Sequence, residues 1–171
     1  MSDTPLLGLA FFLASFSIAL ICICLCFTVV MRLTRYRDLE LIRSGNAAAA
    51  LVLAAAFAAL AIMMRGAIYP ATALIQDFWF MADRSSGDFS LMLLRICGNI
   101  ALTTAVSLGS LVTALTLFQK FTRNIDEEQE IRNGNLAVAI LQAGVLIAFA
   151  MMTAAGVSDF VNTLIPVKPL H

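Results

Sequence analysis

Ile42-Arg43-Ser44-Gly45-Asn46 recurs 89 residues further along the chain as Ile131-Arg132-Asn133-Gly134-Asn135. Each copy follows a charged segment and opens an apolar stretch in which alternate positions hold alanine: Ala48 and Ala50 in the first copy, Ala137 and Ala139 in the second. Because the surroundings match as well as the motifs, we predict that a pair of membrane helices has been duplicated. Repeat one would cover about residues 6–82 and repeat two about residues 91–165.

The composition indicates an integral membrane protein. Hydrophobic residues make up 61% of the 171 residues, charged residues 13%, and the mean hydropathy is +0.92, whereas a soluble domain has about 25% charged residues. Lys and Arg are absent from four segments: 1–31, 44–64, 96–119 and 133–167. Each segment can supply the roughly 20 residues that one bilayer crossing requires. We therefore predict an all-α membrane protein with four transmembrane helices, in a single integral membrane domain over residues 1–171.

The predicted helices run about Leu6–Met31, from Asn46 to at least Met64, Leu91–Phe118, and from Asn135 to at least Val157. The first lacks the basic n-region of a signal peptide, so we expect it to be retained. Beyond Arg65 the apolar pattern continues past Gly66 and Pro70, which predicts either a broken second helix or an interfacial segment over 70–82. An exposed turn at 83–88 would join the two repeats.

The distribution of basic residues predicts the orientation. Seven of the eleven Lys and Arg fall in the first and third loops: Arg32, Arg35, Arg37, Arg43, Lys120, Arg123 and Arg132. Because short cytoplasmic loops are enriched in basic residues, we expect loops 32–45 and 119–134 in the cytoplasm and both termini outside, in the periplasm. Two-helix repeats enter the membrane in the same sense and are related by an axis along the membrane normal.

The repeated motif supports two chemical interpretations. Asn and Ser are common N-cap residues, so the motifs could cap the helices that follow while Arg43 and Arg132 extend to lipid phosphates. Alternatively, the positive helix end, the free N–H groups and the arginine could form an anion site in each copy. The residues concerned are Arg43, Gly45, Asn46, Arg132, Gly134 and Asn135. Capping alone accounts for every residue type, so it is the favoured interpretation.

Polar side chains inside the spans suggest a second candidate site. Helix three and helix four contain Asn99, Thr103, Ser107, Ser110 and Gln142, several of them at helical spacing. They could line a polar path, but Ser and Thr more often bond back to their own helix. Small residues at four-residue spacing, such as Ala101, Ala105 and Gly109, predict close helix packing and oligomers.

Signals for catalysis or a metal are weak. Cys22, Cys24 and Cys26 lie in an apolar span with no histidine nearby, and His171 is the only histidine of the chain. We find no catalytic or phosphate-binding motif. We therefore expect no enzyme activity, no catalytic residues, no cofactor, no metal site and no nucleic-acid partner.

The stretch Glu130-Ile131-Arg132-x-Gly134-Asn135-x-Ala137-Val138-Ala139-Ile140, with its degenerate partner at 41–51, resembles the bacterial inner-membrane family called domain of unknown function 350. The resemblance covers nearly the whole chain, although Leu41 stands where the second copy has Glu130. It implies a multi-pass inner-membrane protein of uncharacterised activity and no known catalytic residues. It also implies a link to envelope-stress proteins, since members are often encoded beside them.

Our leading hypothesis is thus a non-enzymatic inner-membrane protein, oligomeric and associated with the envelope or with membrane stress. Its partners would be the lipid bilayer, further copies of the chain and a cytoplasmic or envelope-stress protein. The alternative is a small ion channel or permease that uses the polar path and the two Gly-Asn helix starts.

Overall fold

The computed structural model describes residues 4–33, 36–80, 85–122 and 126–166, and over these residues the chain is helical, with turns between helices and no strand. The residues named above that lie outside this part are Arg35, Arg123 and His171, together with positions 83 and 84 of the predicted turn. The ends of the predicted segments 70–82 and 1–171 lie outside it as well.

Seven α-helices follow one another in the described part: α1 (Thr4–Leu33), α2 (Tyr36–Arg43), α3 (Ala47–Met64), α4 (Ile68–Phe80), α5 (Ser86–Phe121), α6 (Glu127–Arg132) and α7 (Leu136–Leu164). Four helical segments within it are long and apolar enough to cross a membrane: Leu6–Arg32, Ala47–Phe80, Ser86–Phe121 and Leu136–Leu164. Over the described residues, the predicted all-helical fold with four helices suited to crossing a membrane is therefore confirmed.

The second span changes helix type at one place. A 3-10 turn, Arg65–Ala67, joins α3 to α4, and Pro70 lies in the first turn of α4, where a missing N–H costs little. A Cβ added to Gly66 would lie 2.9 Å from the Cβ of Ser158. At this turn the second span therefore approaches the fourth closely, and any larger residue at position 66 would require Ser158 to shift.

Two parts predicted as loops contain helix. The charged segments before each Gly-Asn pair form α2 and α6, which are short helices rather than irregular loops. The exposed turn predicted at 83–88 also ends earlier than expected, because α5 begins at Ser86. Ser85 caps this helix: its side chain accepts from the backbone N–H of Asp88, whose carboxylate accepts from the backbone N–H of Ser85. This capping box explains the earlier start.

The centre of the bundle is the contact between α3 and α7, the most extensive between any two helices in the described part. Alanines are frequent among the buried residues of both helices: Ala48, Ala55 and Ala59 on α3, and Ala139, Ala143 and Ala150 on α7. Small side chains let the two backbones approach closely, which is how helices associate in lipid. The helix α5 packs on both α7 and α3, and α1 packs on α3 and α4.

The small-residue stripe predicted on the third span does not take part in this packing. Ala101, Ala105, Gly109 and Thr113 are all exposed, and no atom lies within 4 Å of a Cβ added to Gly109. Gly144 and Ala148 on α7 are exposed as well. The small residues do share one face of each helix, but in the tertiary structure these faces are exposed.

Candidate functional site

Each copy of the repeated motif ends one helix before it starts the next. Gly45 has φ +89° and Gly134 has φ +84°, backbone conformations that glycine adopts without strain. In the first copy, the N–H of Gly45 donates to the carbonyl of Ile42, and that of Asn46 donates to the carbonyl of Leu41, both at 3.0 Å. The second copy repeats both bonds, at 3.0 and 2.9 Å. These pairs form a Schellman motif that closes α2 and α6.

The asparagine that follows each glycine caps the next membrane helix. The side-chain oxygen of Asn46 accepts from the N–H of Ala49 at 3.0 Å. The side-chain oxygen of Asn135 accepts from the N–H groups of Ala137 and Val138 at 3.1 and 3.4 Å. Both asparagines have extended backbone angles, as N-cap residues do. The capping that the sequence favoured is therefore present in both copies.

The amide nitrogens of the two asparagines have different partners. The Nδ2 of Asn135 donates to the carboxylate of Glu130 at 2.7 Å, within its own copy. The equivalent of Glu130 in the first copy is Leu41, which has no acceptor on its side chain. The Nδ2 of Asn46 instead donates to the carbonyl oxygens of Ile131 and Arg132, at 2.9 and 3.1 Å. The departure noted at Leu41 thus coincides with a bond between the two copies.

The two arginines of the motif lie in different surroundings. Arg43 is exposed, whereas the side chain of Arg132 is only 22% exposed and forms an ion pair with Glu128 one turn earlier in α6. The Nε of Arg132 is buried and has no hydrogen-bond partner. The structure therefore does not give the two copies equivalent arginines.

A cavity of about 340 Å³ lies between the two junctions and extends along the membrane helices. Apolar side chains from α1, α2, α3 and α5 form most of its wall. Its polar side chains are Gln119, Glu127, Glu128, Arg132 and Gln142. Glu127 is 9% exposed and accepts a hydrogen bond from the hydroxyl of Thr122. The cavity is therefore amphipathic, and it was not foreseen from the sequence.

The predicted polar path is divided between two places. Asn99, Thr103 and Ser107 form a stripe on α5 and are no more than 1% exposed. The hydroxyl of Thr103 donates to the carbonyl of Asn99 at 2.8 Å. Both amide atoms of Asn99 and the Oγ of Ser107 have no partner. Ser110 is half-buried, and Gln142 lines the amphipathic cavity instead.

A second cavity, also of about 340 Å³, lies between α1 and the second span, and its lining is mostly apolar. Cys22, Cys26 and Met64 line it, and Met64 accepts a hydrogen bond from the hydroxyl of Thr104 at 3.2 Å. Cys24 is exposed on the opposite side of α1. Over the residues the structure describes, no three His, Cys, Asp or Glu side chains are clustered as metal ligands.

Several residues of the candidate site lacked a sequence signal. Gln119, Glu127 and Glu128 carried no such signal, and Leu41 was noted only as a difference between the two copies. All four lie within 15 residues of Gly45 or Gly134 in the chain. The helical period of α6 would have placed Glu128 and Arg132 on one face, but not over a cavity.

Comparison with protein families finds one match. A family model described as Domain of Unknown Function (DUF350) matches the chain twice, over residues 4–96 and 89–167. Among curated proteins and among solved structures, none matches the chain. The two matched stretches together cover both membrane-helix pairs and both Gly-Asn junctions, and they confirm the resemblance drawn from the motif.

Proposed function

The chain belongs to the family described as Domain of Unknown Function (DUF350), and from that premise we propose that it is a non-enzymatic multi-pass protein of the bacterial inner membrane. In this proposal two like-oriented two-helix repeats are joined at their cytoplasmic junctions, and several copies assemble into an oligomer. The oligomer serves as an envelope-associated component that docks a partner in membrane stress.

The bond from Asn46 to the carbonyls of Ile131 and Arg132 carries this proposal. A hydrogen bond of 2.9 Å requires both groups at one membrane depth, so it supports a location of both junctions on the same side of the bilayer. Like-oriented repeats have this property and inverted repeats do not. The excess of basic residues around both junctions supports the cytoplasmic side.

The exposed face of α5 supports assembly into an oligomer. Four small residues at four-residue spacing, from Ala101 to Thr113, are all exposed on one face of α5 in the described part of the chain. In lipid such a surface associates with another helix through close backbone packing. A second copy of the chain supplies that helix in the proposed oligomer.

The two short helices support the docking role. Both carry charged side chains on the side of the junctions, and Glu40, Arg43 and Glu128 are exposed or partly exposed there. Charges of both signs suit a partner that carries complementary charges. The assignment to membrane stress rests on what membership of the family implies and on nothing in the geometry.

Labelling of matched positions tests the arrangement. Ser44 and Asn133 are equivalent in the two copies and both are exposed; Ser86, at the start of α5, is exposed at the other end of the helices. We expect a membrane-impermeant maleimide to label Ser44→Cys and Asn133→Cys only in inverted vesicles, and Ser86→Cys only in right-side-out vesicles. The unmodified chain gives the background from its own cysteines. Labelling of the first two variants from opposite sides would overturn the proposal.

A small channel or permease is the second candidate, favoured by one specific observation. Asn99 and Ser107 are buried in mid-span with polar atoms that have no partner, which costs about 1–3 kcal/mol for each group. Such a cost is tolerated where polar groups serve transport. Ion or water flux into liposomes that falls with Asn99→Leu, while the variant assembles normally, would favour this candidate. Equal flux from both proteins would exclude it.

A further inference from the structure

The cavity between the two junctions has a long apolar wall and a smaller set of polar side chains. Its apolar wall includes Val52, Leu53 and Leu60 of α3 and Leu108, Leu111 and Leu115 of α5. Its polar side chains come from the end of α5, from α6 and from the second turn of α7. A pocket of this size is at the lower limit of ligand sites, which span about 300–1,000 Å³. It has room for one narrow molecule with an apolar body and a polar end.

The length of the apolar wall matches one membrane leaflet. Ala49 and Leu60 of α3 both line the cavity, and the eleven helical steps between them span roughly 16 Å along the helix axis. Half of a hydrocarbon core of about 30 Å is similar. The wall is also open to the bilayer, since Val112 lines the cavity and is 57% exposed. An acyl chain can therefore enter sideways from the lipid and lie along α3.

Among the polar side chains, one buried donor and one buried acceptor have no hydrogen-bond partner in the described part of the chain. The Nε of Arg132 is a buried donor without a partner, and the Oε1 of Gln142 is a buried acceptor without a partner. A ligand that satisfies both carries an anionic or carbonyl acceptor together with an N–H or O–H donor. A phosphate oxygen suits the guanidinium of Arg132 in particular.

The charges at the polar end select among headgroups. Glu127 and Glu128 stand beside Arg132, so the site holds both signs and would repel a purely anionic headgroup more than a zwitterionic one. An ammonium group with N–H donors complements the carboxylates and the free oxygen of Gln142. A trimethylammonium group carries the same charge but has no hydrogen to donate.

We propose that this cavity binds one phospholipid with an ethanolamine-type headgroup. One acyl chain lies between α3 and α5, the phosphate accepts from Arg132, and the ammonium donates to Gln142. The proposal goes beyond the function proposed above and does not depend on it, because no step uses the orientation of the repeats or the oligomeric state.

Native mass spectrometry of the purified full chain tests the proposal. The protein is titrated in detergent with dioleoyl phosphatidylethanolamine and, separately, with dioleoyl phosphatidylcholine. We expect one ethanolamine lipid to remain bound per chain, at a concentration roughly tenfold lower than for the choline lipid, which is the ratio that one missing hydrogen bond produces. Inorganic phosphate alone should neither bind nor displace the lipid. Equal retention of the two lipids, or displacement by phosphate, would overturn the proposal.

Matched variants localise the effect. Gln142→Leu removes the free acceptor and should abolish the preference between the two lipids, whereas Gln76→Leu makes the same change on α4, outside the residues that line the cavity, and should preserve it. An unchanged preference in Gln142→Leu would refute the assignment of the ammonium. Should that variant fail to fold, the binding site can be located on the unmodified protein by crosslinking with an ethanolamine lipid that carries a photoreactive acyl chain. Crosslinks should map to Leu53, Leu60 or Leu111, and crosslinks confined to other helices would refute the site.

Discussion

The amide nitrogen of Asn46 lies 2.9 Å from the carbonyl oxygen of Ile131, a residue 85 positions further along the chain. The same asparagine caps α3 through its side-chain oxygen. One side chain thus holds the start of one membrane helix and the end of the short helix α6. The bond is made where the first copy of the motif lacks the acid that satisfies Asn135 in the second copy.

Loss of this bond should lower stability without loss of the cap. Serine is a good N-cap but is too short to reach the carbonyl of Ile131. We therefore expect Asn46→Ser to lower the free energy of unfolding by about 1–3 kcal/mol, since it removes two hydrogen bonds. Unfolding in a titration with sodium dodecyl sulfate, followed by circular dichroism, measures the change. Asn133→Ser is the exposed control and should be neutral within about 0.5 kcal/mol; equal stability of the two variants would contradict the prediction.

A second prediction concerns Glu130, the acid that accepts the hydrogen bond of the capping asparagine in the second copy. Glu130 accepts from Asn135 at 2.7 Å, and a bond to a charged group contributes about 1.5–3 kcal/mol. Glu130→Leu should therefore destabilise the protein by that amount in the same unfolding experiment. Glu130→Gln retains an acceptor and should cost less. If the leucine variant is no less stable than the exposed control Glu40→Leu, the bond has no energetic role.

A third prediction concerns the glycines. No atom lies within 4 Å of a Cβ added to Gly45, Gly134 or Gly109, but only the first two have positive φ. Gly45→Ala and Gly134→Ala should each destabilise the protein by about 1–2 kcal/mol, through backbone strain alone. Gly109→Ala should stabilise its helix by about 0.5–1 kcal/mol. Thermal unfolding in detergent separates the two outcomes, and a uniform effect at all three positions would argue against strain as the cause.

A fourth prediction concerns assembly. A Cβ added to Gly109 has no atom within 4 Å among the described residues, and the position is exposed, so we expect the monomer of Gly109→Leu to fold normally. If the small-residue face of α5 forms the contact between copies, Gly109→Leu should shift the oligomer to monomers by about tenfold or more, since close backbone packing is lost. Native mass measurement in lipid nanodiscs provides the readout. The control is Gly156→Leu, also free of contacts and exposed on α7; an effect on the control as large as on Gly109→Leu would refute the choice of face.

Much of the architecture follows from local sequence. The four apolar segments predict four spans because hydropathy and length depend on neighbouring residues only. The Gly-Asn pairs mark helix boundaries, since positive φ and N-capping are also local properties. Comparison of the two copies located Leu41 as the position where the first copy lacks the acid of the second, and the motif was sufficient to identify the family.

The other features depend on which helices become neighbours. Nothing near Asn46 in the chain indicates that its amide donates to the carbonyl of Ile131. Every residue type has a backbone carbonyl, so the identity of the acceptor residue gives no signal in the sequence. Buried alanines four residues apart lie on α3 (Ala55 and Ala59) and on α7 (Ala139 and Ala143), two helices that pack together. The stripe on α5 has the same spacing but is exposed. The cavity and its unpaired polar atoms, on Arg132 and Gln142, arise where several helices meet, among them α3, α5, α6 and α7. Periodicity determines which residues share a face, but the partner of that face is selected by tertiary packing.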